Sequence, residues 1–115
     1  MPKYLLSYRG AKNYDALADS ALNAAWDDFL NDHVASSVVE PGWPVFEPAI
    51  VVGDTGPSTQ LGGYSVVTAD DIDGALEIAK HCPNVTRGGG VEIGLLADLP
   101  AEHPAEQMRL RLANA

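Results

Sequence analysis

The chain has 115 residues, 16 of them acidic against 7 basic, for a formal charge of −9. That balance excludes the basic footprint that nucleic-acid phosphates require and disfavours an anionic membrane surface. Cys82 is the single cysteine, so no internal disulfide can form, which fits a reducing, cytoplasmic setting. The length suits one domain over 1–115, with a core of about 3–96 and a tail of 97–115.

Lys3 to Arg9 reads as strand one, with Tyr4, Leu6 and Tyr8 on one side and Leu5, Ser7 and Arg9 on the other. The leading MPKYLLSYRG has neither the apolar length nor the cleavage site of a signal peptide, and no stretch has the length of a membrane span. Ala11 to Asp15 is a polar connection. The first helix is expected within Asp15 to His33, where Leu22, Ala25, Trp26, Phe29 and His33 recur at helical spacing. Asp15 or Asp19 could cap it. Three prolines then interrupt any long strand. A short extended piece is expected near Ser37 to Glu40, a turn at Pro41-Gly42-Trp43-Pro44, and strand two at Ala49 to Val52.

Asp54 to Leu61 reads as a turn-rich loop before strand three, in which Tyr64, Val66 and Thr68 alternate with Ser65 and Val67. The second helix follows at once. Asp70 is the expected cap, and Ile72, Ala75, Leu76 and Ala79 have the spacing of one buried face. Pro83 stops the helix. Gly90 to Leu96 is strand four, and a short helix is expected around Ala105 to Ala113.

The order β-α-β-β-α-β implies an α+β, ferredoxin-like sandwich: four antiparallel strands with both helices on one face. The other face would carry Leu5, Val67 and Leu96. An apolar sheet face of that kind predicts a homodimer.

KYLL in strand one, Trp26, the Pro-Gly-Trp-Pro turn, GGYSVVTADDIDGALEIAKHCP and GGGVEI together resemble the YCII-related family, also called DGPF-domain proteins. The resemblance covers roughly Lys3 to Leu96. It implies a dimeric α+β barrel and a pocket between the sheet and the first helix. One branch of the family is associated with dehydrochlorination of chlorinated hydroxyquinols, and some related domains occur beside sigma factors. Classical members pair a helix histidine with an aspartate near the helix end. Here the matching stretch reads Ala24-Ala25-Trp26, Asp32 and His33 stand near the aspartate position, and Gly53 to Pro57 only partly echoes the DGPF signature.

His33 is the candidate catalytic residue, since an imidazole can move a proton near neutral pH. It can equally be a histidine favoured at a helix C-terminus by the dipole. Trp26 and Trp43 could wall a pocket for a planar ligand, although Trp26 also fits plain core packing. Tyr8 and Arg9 could supply a hydroxyl and an anion-binding fork. Asp54-Thr55-Gly56 matches the triplet of aspartic proteases, but Gly53, Pro57 and the amphipathic helices argue for a surface turn. Gly88-Gly89-Gly90 leads into a strand, unlike a phosphate loop. No second cysteine or spaced histidine pair completes a zinc set around His81-Cys82, and Asn84-Val85-Thr86 is a chance glycosylation match. No metal or cofactor is expected. Three readings remain: a module binding a small aromatic or anionic metabolite, a lyase or isomerase using His33, and a regulatory domain acting on another protein.

Overall fold

The computed structural model describes residues 1–11, 20–45, 47–56 and 59–114. Strand β1 (Lys3–Ala11) lies inside a four-stranded antiparallel sheet with β2 (Val38–Glu40), β3 (Thr59–Thr68) and β4 (Gly90–Leu96), in the order β2-β3-β1-β4. Helix α1 (Ser20–Phe29) joins β1 to β2, α2 (Ile72–Ala79) joins β3 to β4, and α3 (Pro104–Ala113) follows. The arrangement is the ferredoxin-like α+β sandwich. Among the described residues no helix is long and apolar enough to cross a membrane.

Strand alternation determines the core. Tyr4, Leu6 and Tyr8 of β1 and Val67 of β3 are buried together with Phe29, Val34, Ala75 and Ala79, so both helices cover the same face. Val67 therefore belongs to the helix side and not, as expected, to the open one. Val66, paired with Leu5, takes its place on the open face, and Leu96 lies there opposite Lys3.

Strand two is Val38–Glu40, not Ala49–Val52. Val38 pairs with Val67 and Glu40 with Val66, whereas Ile50 and Val52 are almost fully exposed and unpaired. β-branched content marks a segment that suits a sheet, but the partner strand decides which segment joins it. β3 also begins earlier than expected, at Thr59, and shifts register against β1 between Tyr8 and Arg9.

Asp71, not Asp70, caps α2: its Oδ1 accepts from Gly74 N at 3.0 Å. The buried stripe of α2 is also narrower than expected. Ala75 and Ala79 face the core, whereas Ile72 and Leu76 are about half exposed. Small side chains let the helix sit close on the sheet, and that contact sets its rotation. In α1 the expected stripe of Leu22, Ala25, Trp26 and Phe29 faces inward; the Asp15 and Asp19 caps lie outside the described residues. His103 caps α3, with Nδ1 accepting from Ala105 N at 3.1 Å.

The glycine run is structural. A Cβ on Gly89 would fall 2.1 Å from the Arg9 carbonyl oxygen, so only glycine permits this approach of the backbone to β1. Asn84 holds the same corner. It is buried, its Nδ2 donates to Arg9 O at 3.2 Å, and its own carbonyl oxygen accepts from Arg87 N and Gly89 N.

Candidate functional site

The site grows out of a chain of aromatic rings. Tyr8 on β1 meets Trp26 edge-on at 4.8 Å between centroids and Phe29 at 6.0 Å. Trp26 and Phe29 meet at 5.5 Å, and Phe29 lies 6.2 Å from His33. The contacts among Tyr8, Trp26 and Phe29 are T-shaped, as the ring quadrupoles favour, whereas Phe29 and His33 are tilted by 30°. They fill the space between the sheet and α1, where the resemblance implies a pocket.

The chain of rings ends in two stacked imidazoles. α1 runs into a π-type turn, Leu30–Val34, which carries His33. His81 follows the C-terminal end of α2. The two rings lie 3.8 Å apart and only 6° from parallel. Beside them opens a cavity of about 290 Å³, whose walls include Asp28, Phe29, Asp32, Thr86 and Arg87. His33 is half-buried and His81 more exposed. Glu77 approaches from the outside, with Oε1 3.9 Å from His81 Nε2. Its hydrogen bond from Lys80, together with the Lys80 charge and the two nearby histidines, holds its carboxyl below the usual range.

The other candidates are placed apart from one another. Tyr8 is buried, and its hydroxyl donates to Ser65 Oγ at 2.8 Å, which in turn donates to Pro41 O at 2.8 Å. Burial pushes the phenol up to about 12, against a smaller opposing effect of the Ser65 hydrogen bond. Arg9 points to the opposite side of β1 and joins a different concavity, so Tyr8 and Arg9 do not share a site. Trp43 is 74% exposed in its turn. Trp26 contributes to the ring chain, and its Nε1 is buried with no hydrogen-bond partner among the described residues. Cys82 is buried, which pushes its thiol up to about 11, the wrong direction for a nucleophile.

His81 was not legible as a site residue. It is 48 positions from His33 in the sequence, and no spacing rule joins them. The available signal was positional: each histidine stands at the C-terminal end of a helix covering one sheet face. The bond from Asn84 to Arg9 was equally invisible, because its sequence context suggests only a turn.

Asp28 and Asp32 beside His33, His81 and Arg87 make a cleft of mixed charge. Such a wall can both donate to and accept from a small polar ligand, while the exposed His81 ring offers a flat surface. Among the solved structures, this chain is similar to 5-chloro-2-hydroxyhydroquinone dehydrochlorinase (TftG) from Burkholderia phenoliruptrix AC1100, in complex with 2,5-dihydroxybenzoquinone. The identity is 14% and the TM-score 0.46, covering 84% of this chain and 95% of that one. Among the curated proteins, none matches. Residues 4–96 match the YCII-related domain, and the chain belongs to the YCII-related family.

Proposed function

We propose that this chain is a small-molecule-binding domain whose ligand, a small planar compound with hydroxyl or acidic groups, sits in the His33–His81 cleft. The observation that carries the reading is the parallel imidazole stack at the edge of the cavity. A flat ring can extend that stack on the exposed side of His81. Its polar substituents would then meet the imidazole N–H groups and the carboxylates of Asp28 and Asp32. A thermal-shift screen of hydroxylated aromatics and aromatic acids tests this, because a ligand of the native state raises Tm by mass action. Hits whose shift disappears in His81→Ala support the cleft; hits indifferent to both histidines refute it.

A second reading has the same site as an enzyme, a lyase or isomerase in which His33 moves a proton. The half-buried ring, next in sequence to Asp32 and open to the cavity, favours it. Mass spectrometry of each hit after incubation decides between the two. Conversion abolished in His33→Gln, with the fold intact, makes the chain an enzyme; saturable binding with no product makes it a binding module.

The assembly we propose is a homodimer through the open sheet face, where Leu5, Val66 and Leu96 lie on the side away from the helices. Light scattering that finds only monomer at micromolar concentration would reject it.

A further inference from the structure

Arg9 anchors a second concavity, on the other side of β1 from the aromatic chain. The cavity has a volume of about 530 Å³ and lies between Pro48–Gly56 and the start of β3 at Thr59, Gln60 and Leu61. The guanidinium is half-buried and held in position: Nε donates to Thr59 Oγ1 at 2.8 Å and Nη2 to Thr59 O at 3.4 Å. A guanidinium has five N–H donors, so Thr59 leaves most of the fork for another acceptor. Among the described residues no carboxylate pairs with it, in a chain of 16 acidic and 7 basic residues. The facing wall is apolar. Ile50 is 95% exposed and Val52 94%, an arrangement that gains from being covered. Asp54 is the other charged group lining the cavity, and its Oδ1 is tied into the turn by Gly56 N at 3.0 Å.

We infer that Arg9 and the Pro48–Gly56 wall form a second ligand site, one for a small monocarboxylate with an apolar body. The carboxylate takes the remaining guanidinium donors, and the hydrocarbon covers Ile50 and Val52. Thr59 is a positioning residue: it fixes the plane of the fork before the ligand arrives. This site is independent of the His33–His81 cleft. It shares the open face of the sheet with Leu5, about four residues or 13 Å further along β1.

The test is calorimetric titration of the whole chain with acetate, butanoate and hexanoate, with hexanamide as the uncharged control. Expected is saturable binding that strengthens by up to about fourfold for each added methylene. Hexanamide and the Arg9→Gln variant should each weaken binding by about tenfold or more relative to hexanoate on the native chain. Thr59→Val should weaken it less. Ile50→Ser, at a side chain too exposed to support the fold, should flatten the chain-length series. Asp54→Asn should tighten hexanoate by removing a like charge. Equal affinity for acid and amide, no effect of Arg9→Gln, weaker binding in Asp54→Asn, or no saturable binding of any acid would each overturn the inference. If Arg9→Gln does not fold, the Ile50→Ser and Asp54→Asn series decide.

Discussion

The imidazoles of His33 and His81 lie face to face, 3.8 Å apart and within 6° of parallel, joining the end of the first helical segment to the end of the second. Removing one ring should loosen that junction without unfolding the protein. His81→Ala is expected to cost about 0.5–1.5 kcal/mol, the usual worth of an aromatic pair. A double-mutant cycle with His33→Ala in urea measures the coupling directly. Additive losses would mean that the stack carries no energy of its own.

Stability should fall in alkali. Tyr8 is raised from 10.0 to about 12 and Cys82 from 9.0 to about 11, both chiefly by burial. Between those limits the unfolded chain has released protons that the folded chain still holds, so stability declines as pH rises. Their contribution is complete below about pH 9 and is lost by about pH 12, at no more than roughly 3 kcal/mol for each group. Urea melts across this range check the slope. Cys82→Ala should delay the onset toward pH 10, where Tyr8 of the unfolded state begins to ionise.

Gly89→Ala should be the most damaging glycine substitution in the run that leads into β4. Its Cβ would meet the Arg9 carbonyl at 2.1 Å, and backbone cannot move aside as a flexible side chain can. A loss above about 3 kcal/mol, or no soluble protein, is expected. Gly90→Ala meets no atom within 4 Å and should remain within about 0.5 kcal/mol of the parent. Equal melting temperatures for the two variants would contradict the close approach.

The two neighbouring aspartates before α2 should behave differently. Asp71→Ala removes the side-chain acceptor of Gly74 N and should cost about 1 kcal/mol. Asp70→Ala removes no such bond and should change stability by less than about 0.5 kcal/mol. Denaturant midpoints for the pair separate them.

The sequence carried the order of elements, because alternation and helical spacing act locally. Tyr4, Leu6 and Tyr8 are buried together for that reason. The same alternation already separated Tyr8 from Arg9, and the expectation that they would serve one site set that geometry aside. What could not be read locally was pairing. Val38–Glu40 joins the sheet because its register meets Val66 and Val67, while the more β-prone Ala49–Val52 stays outside. Asp70 and Asp71 are both suitable caps, and one residue of phase chose between them. The His33–His81 contact depends on where two helices end in space, and the Tyr8–Ser65–Pro41 hydrogen-bond chain on the packing of β1, β3 and a turn.

The two tryptophans give the molecule a pair of optical reporters in opposite surroundings. Trp43 stands in water, whereas the indole nitrogen of Trp26 is enclosed among aromatic rings. Trp43 should therefore emit near the solvent limit both before and after denaturation, and nearly all of the red shift on unfolding should come from Trp26. In Trp43→Phe the remaining fluorophore touches Phe29, which in turn neighbours His33. Its emission would then respond to occupancy of the cleft with no label attached.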